Sequence, residues 1–210
     1  MTARGLPGAL PEGEVILWSG APEWRVFART ALHARKLALY FALIAAYATI
    51  STAVSGAGPA ATALTLLKTA GVGAVPVVLA ILYAWAVSRA AVYTITNRRV
   101  VLHIGLALPV TLNLPFARIV SADLNAAPDG SGDLSMTLTA GSQFAYAILW
   151  PHARPWHFAR PQPAMRGLAD VAQPAQILAR ALAASASMAV PVMAGIETSP
   201  QRSPHATLAA

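Results

Sequence analysis

The sequence predicts a membrane α-helical hairpin joined to an α+β domain, an antiparallel β-sandwich or small barrel closed by a C-terminal helix. Three observations carry this. Two closely spaced apolar runs are almost free of charge, the region after them breaks into short alternating segments, and one amphipathic stretch follows near the end. Composition agrees: 56% of the 210 residues are apolar and 11% are charged, against about 25% charged in soluble domains.

Residues 1–36 form a polar lead-in containing Glu12, Glu14 and Glu23. The first apolar run begins near residue 37, too late for a cleaved leader. Residues 37–54, LALYFALIAAYATISTAV, hold no charge. At about 1.5 Å per residue they nearly cross a hydrocarbon core of roughly 30 Å, so they read as a first transmembrane helix. A short periplasmic loop, 55–63, is marked by Gly56, Gly58 and Pro59. The second span is 64–88, with Lys68 near its start, expected to snorkel to the far interface. Pro76 inside it removes a backbone donor, so a kink is expected there.

Both spans are rich in Ala, Ser, Thr and Gly, which let helices approach closely in lipid. Gly71 and Gly73 have two readings. They pack the hairpin on itself, or they seat a foreign helix, a second copy included. Arg25, Arg29, Arg35 and Lys36 precede the first span and Arg89, Arg98 and Arg99 follow the second, which places both termini in the cytoplasm by the distribution of basic residues. The same residues account for much of the net charge of +7, which removes most of the support for a nucleic-acid partner.

In the cytoplasmic domain, 92–186, strands are expected at 92–95, 99–104, 110–114, 119–124, 134–139 and 144–150. Thr96-Asn97 and the 128–132 run Pro-Asp-Gly-Ser-Gly supply turns between them. A helix over 173–184 carries Ile177, Leu178, Ala181 and Leu182 on one face, with Pro174 in its first turn. The tail, 187–210, is Ala-, Ser-, Pro- and Thr-rich with little periodicity and reads as flexible.

No cysteine is present, which excludes disulfides, thiolate metal sites and cysteine nucleophiles. Phosphate-binding glycine loops, the G-x-S-x-G elbow and the H-E-x-x-H zinc motif are missing as well, so no enzymatic activity is expected. Asp123, Asp129, Asp133 and Asp170 read as turn and linker residues. His152 and His157 lack the further ligands a metal needs.

The densest chemistry lies at 150–157, where Trp150, His152, Arg154, Trp156 and His157 bring together aromatic and cationic groups of the kind enriched at binding hot spots. One reading is a partner-binding loop. The other packs the tryptophans on the sheet or at the membrane interface and leaves His152 and Arg154 solvated. Arg98, Arg99 and Arg118 suggest a basic face toward anionic lipid headgroups.

The stretch Tyr93-Thr-Ile-Thr-Asn97-Arg98-Arg99-Val100-Val101, then Gly105, Leu114-Pro115-Phe116-Ala-Arg118-Ile119 and Gly130-Ser-Gly132-Asp133-Leu134, resembles bacterial pleckstrin-homology domains that follow membrane helices. Upstream, Glu12-Gly-Glu14-Val-Ile-Leu-Trp18-Ser-Gly20 with Pro22 and Trp24 is similar to the lead-in of those proteins. Together with Leu149-Trp150-Pro151-His152-Ala-Arg154-Pro155-Trp156, the order over residues 5–185 resembles the PuhB family of photosynthetic-complex assembly proteins.

That resemblance implies a non-catalytic factor in the bacterial inner, intracytoplasmic photosynthetic membrane. Its partners would be reaction-centre and light-harvesting 1 subunits. No cofactor is required, although His33 at the membrane boundary would be the position to ligate a bacteriochlorophyll. The alternative is a membrane-anchored lipid-binding or scaffolding protein unrelated to photosynthesis.

Overall fold

The computed structural model describes residues 5–189 except Pro7, Ser142 and Gln143. Strand β1 (Ile16–Gly20) and a two-turn helix, α1 (Trp24–Thr30), lead into two long helices, α2 (Ala34–Val54) and α3 (Gly58–Ala90). Glu23 starts α1 by accepting the Val26 N–H at 2.8 Å, which satisfies one of the orphan donors of the first turn. The chain turns into α2 at His33, whose φ of 55° places it in the left-handed region.

Helices α2 and α3 pack antiparallel across a connection of only three residues, Ser55, Gly56 and Ala57. The loop expected over 55–63 is therefore shorter, because Pro59 sits in the first turn of α3, where it needs no hydrogen-bond donor. The helix also continues unbroken through Pro76. Both helices are long and apolar enough to cross a membrane, and only 6% and 17% of their most apolar windows are buried. A core helix of a soluble protein would be mostly covered, so these faces belong against lipid or a partner and associate the chain with a membrane.

Hydroxyls along the hairpin are satisfied internally, as a site without water requires. Thr49 and Thr52 donate to the carbonyls of Ala45 and Ala48, and Thr65 and Thr69 to those of Ala61 and Thr65, at 2.7–3.0 Å. Gly73 is buried against Phe41, where an added Cβ would lie 2.8 Å from the Phe41 Cβ. It therefore packs the hairpin on itself and cannot seat a foreign helix. Gly71 has nothing within 4 Å and remains open. Gly73→Leu is expected to splay the two helices, read as a drop in thermal stability in detergent of about 1–3 kcal/mol, the usual cost of overpacking.

Beyond α3 come β2 (Val92–Thr96), β3 (Arg99–Ile104), β4 (Val110–Pro115), β5 (Ile119–Ala126) and β6 (Gly132–Leu138). A one-turn helix α4 (Tyr146–Leu149), strand β7 (Ala164–Leu168) and helix α5 (Ala172–Ala189) complete the described chain. The strands form two antiparallel sheets, β1-β2-β3-β4 and β5-β6-β7, which share a core of Tyr93, Leu102, Leu114, Leu134, Met165 and Leu178. Leu178 and Ala181 of α5 close that core, as the helical spacing predicts. No closed barrel forms among the described residues.

Two expectations are corrected here. The 144–150 segment is not a strand: Leu149 alone is fully buried while Ile148 and Trp150 are about half exposed, so one anchor replaces the alternating face a strand would need. The lead-in is not separate from the domain, because β1 pairs antiparallel with β2 in the register Trp18↔Ile95 and Gly20↔Tyr93. Asn97 fixes this pairing, donating to the Gly13 carbonyl at 2.9 Å and accepting the Val15 N–H at 3.0 Å. The expected tail over 187–210 begins inside α5, and residues 190–210 lie outside the described residues.

Candidate functional site

One charge sits inside an apolar strand. Arg166 lies between Met165 and Gly167 in β7 and is only 6% exposed. A guanidinium taken out of water needs partners on every face, and this one draws them from three parts of the chain. Its Nε donates to Asp133 Oδ2 at 3.3 Å, Nη1 to the Pro151 carbonyl at 3.2 Å, and Nη2 to the Thr30 carbonyl at 3.3 Å. The other Asp133 oxygen accepts the Gly167 N–H at 2.8 Å. Thr30 ends α1, so the guanidinium fastens the helix that enters the hairpin to β6, β7 and the loop before β7.

Beside it, Tyr93 and His152 form a buried polar pair, with Tyr93 Oη and His152 Nδ1 at 2.7 Å. The Arg166 N–H donates to Tyr93 Oη and the tyrosine hydroxyl reaches the Arg166 carbonyl, both at 3.2 Å. The arrangement that satisfies every one of these groups has Nδ1–H donating to the tyrosine and the tyrosine O–H donating to the carbonyl. His152 Nε2 then carries an unshared pair and has no partner, a smaller loss than an orphaned N–H donor. Burial pushes the tyrosine pKa up, so the hydroxyl stays protonated.

Burial, and then the Arg166 charge, push the His152 pKa down from 6.5 to about 3. The ring is neutral in the folded chain while the unfolded chain takes up a proton near pH 6.5. Its contribution to stability is therefore complete above that pH and declines as pH falls from 6.5 toward 3. Between pH 7 and pH 5 the wild-type chain should lose roughly 2 kcal/mol, at up to about 1.4 kcal/mol per unit. Thermal unfolding in detergent reads this, and His152→Gln should flatten the difference.

The joint is completed by packing. Phe27 of α1 is fully buried and its ring lies 5.4 Å from that of His152. The same face of α1 meets Ala84, Val87 and Ala91 at the end of α3. The Glu23 N–H donates to the Gly167 carbonyl at 2.7 Å, and Gly167 itself stands at φ 70° under Phe27.

His152 is thus a structural residue of the joint and cannot touch a partner. Arg154 is half-buried and pairs with Asp123 at 2.5 Å and Gln162 at 3.0 Å, so it braces the loop against β5. Trp150 remains half exposed, stacked on Tyr83 of α3 with centroids 5.7 Å apart. Trp156 is 86% exposed at a φ of 64°, a strained conformation for a bulky side chain. It meets Phe158 edge-on, and Phe158 is itself 59% exposed. His157 donates its Nδ1–H to the Pro155 carbonyl at 2.8 Å. Of the aromatic segment, then, Trp150, Trp156 and Phe158 are the accessible part.

The basic face is also redrawn. Arg99 makes a two-point ion pair with buried Glu14, Nε to Oε1 at 2.7 Å and Nη2 to Oε2 at 2.8 Å, so it anchors the lead-in and is not free for lipid. Burial works to raise the Glu14 pKa, but hydrogen bonding to Arg99 and the charges of Arg99 and Arg98 outweigh it and hold the carboxyl below its usual range. Arg98 and Arg118 are exposed, but Arg98 lies in the turn after β2, roughly 25 Å of extended chain beyond the end of α3 at Ala90. Asp123 and Asp133 turn out to be strand residues holding arginines, whereas Asp129 and Asp170 do serve turns, accepting the N–H groups of Ser131 and Ala172. His33 is exposed at the entry to α2. No cluster of three metal-binding side chains occurs among the described residues.

Sequence reading gave no role to Arg166 or Phe27 and used Tyr93 and Glu14 only as marks of a family resemblance. A lone arginine in the apolar run AMRGL was the available signal, since a charge at such a position must be paired.

Comparison with known proteins gives two matches. A family model described as bacterial PH domain matches residues 36–183. A protein from Rhodobacter capsulatus, described as an uncharacterized 23.7 kDa protein in the puhA 5′ region, is 40% identical over 182 residues, covering 84% of this chain and 83% of its own. No solved structure matches.

Proposed function

The chain belongs to the bacterial PH-domain family, and on that premise we propose that it is a non-catalytic assembly factor for the photosynthetic reaction centre and light-harvesting 1 complex. The observation that carries the reading is the 40% identical relative, described by its place in the puhA 5′ region. This agrees with the photosynthetic role that the sequence resemblance implies.

The structure supports the physical side of such a role. Leu39, Leu43, Tyr47, Val72 and Leu79 are all more than half exposed on the hairpin, and Gly71 leaves an open approach for another helix. These are the small-residue and apolar surfaces through which helices associate in lipid. Trp150, stacked on Tyr83 of α3, and exposed Trp156 and Phe158 present aromatic anchors on the domain. In this reading the protein crosses the inner membrane twice, with both termini and the PH domain in the cytoplasm. The hairpin docks on nascent subunits while the aromatic loop holds a soluble face of the same client.

Deleting the gene should lower reaction-centre absorbance per milligram of membrane protein several-fold under photosynthetic growth. Complementation with Gly71→Leu combined with Trp156→Ala should restore expression of the protein but not the absorbance. Normal reaction-centre levels in the deletion strain would overturn the reading.

A further inference from the structure

A cleft of about 660 Å³ opens where α1, the first turn of α2, Ile81 of α3 and the 129–131 turn meet. It lies one turn before the apolar run of α2 begins, so its mouth is level with the membrane boundary. Three arginines line it, Arg25, Arg29 and Arg35, together with two acids, Glu23 and Asp129.

The acids are already engaged. Glu23 caps α1 through the Val26 N–H. Asp129 takes hydrogen bonds from Ser131 and from Arg29, the latter at 2.6 Å, which together lower its pKa to about 2. Arg29 is thereby neutralised. Arg25 lies over the Trp24 ring at 5.1 Å, and neither it nor Arg35 has an acidic partner among the described residues. Lys36 follows directly in sequence. The lining also includes apolar Val26, Ala28, Ala34 and Ile81. From there it runs into the exposed face of α3 at Val78 and Leu82.

A site whose three guanidiniums outnumber its two carboxylates, with an apolar lining that continues along a membrane-crossing helix, fits one ligand chemistry. We propose that this cleft holds the phosphate headgroup of an anionic glycerophospholipid, its phosphodiester on Arg25 and Arg35 and its acyl chain along Ile81 and Val78. Guanidinium forks match phosphate oxygens geometrically, and basic pockets between helices on the cytoplasmic side of a membrane are where such headgroups are held. The volume is ample for a headgroup. The headgroup cleft is separate from Gly71 and from the aromatic loop assigned to a client, and it stands or falls independently of the photosynthetic role.

The test is lipid binding by the full chain in detergent, read by native mass spectrometry and thermal shift, with phosphatidylglycerol, phosphatidylcholine and glycerol 3-phosphate as probes. Phosphatidylglycerol should be retained and should raise the unfolding temperature. Phosphatidylcholine and glycerol 3-phosphate should do neither. Arg25→Gln with Arg35→Gln should weaken retention at least about tenfold, the worth of one charge-assisted hydrogen bond. Ile81→Trp, which fills the apolar wall and leaves every charge in place, should weaken it as well. Arg160→Gln with Arg180→Gln, exposed cations elsewhere, should have no effect.

Equal loss in that control pair would mean diffuse attraction to the whole basic chain and would overturn the site. Retention unchanged in the Arg25 and Arg35 variant would also overturn it. So would glycerol 3-phosphate protecting as well as the lipid, since the cleft would then be a site for free phosphate.

Discussion

Arg166→Met is expected to destabilise the chain by about 3 kcal/mol, at the lower end of the 3–5 kcal/mol typical of breaking a buried ion pair. The lower end applies because the three guanidinium contacts are 3.2–3.3 Å long. Methionine fills a similar volume, so packing changes little and the cost is electrostatic. Asp133 is left with one backbone donor, and the carbonyls of Thr30 and Pro151 lose the guanidinium donors. Arg166→Lys should recover only part of the loss, because one ammonium cannot face α1, β6 and the Pro151 loop at once. Thermal unfolding of the detergent-solubilised chain checks both. A variant as stable as the wild type would mean that the packing of Phe27 alone holds α1 in place.

The second large effect comes from the neighbouring residue. Gly167→Ala should cost about 2–4 kcal/mol, combining a left-handed backbone for a residue with a Cβ and overpacking against a helix. The added Cβ would stand 3.0 Å from both Cβ and Cδ2 of Phe27 and 3.1 Å from its Cα. The Cα belongs to the backbone of α1, so relief requires the helix to move off β7, which also stretches the 2.7 Å bond from the Glu23 N–H to the Gly167 carbonyl. Gly130→Ala provides the comparison. It has a similar φ of 79° with nothing within 4 Å, so it isolates the conformational part, and its cost should be about 1–2 kcal/mol. Equal losses at the two positions would show that contact with Phe27 contributes nothing.

Much of the fold was legible because its signals are local. An apolar run without charge reports a membrane helix wherever it falls, and alternation between Val92 and Leu138 reports strands residue by residue. The Asn97 and 128–132 turns and the apolar face of α5 are of the same kind. The elements that escaped are short or depend on distant partners. β1 is largely exposed and carries no clean alternation; it is a strand because β2 offers it an edge 73 to 80 residues later in the chain, from Gly20↔Tyr93 to Ile16↔Thr96. The 144–150 segment has strand-like composition, but its single buried anchor, Leu149, makes one helical turn sufficient.

The same division runs through the candidate site. Sequence by itself determined the hairpin, the strand-rich domain after it, the closing helix and the cluster of aromatic and basic residues at 150–157, because each is encoded in neighbours along the chain. Tertiary structure alone decided what those residues do. It buried His152 against Tyr93 and Phe27 while leaving Trp156 in the open, gave Arg99 to Glu14, and left Arg25 and Arg35 without an ion-pair partner among the described residues, beside the two long apolar helices. Burial and charge pairing are properties of what surrounds a side chain in space, and here the surrounding groups come from segments separated by the entire helical hairpin.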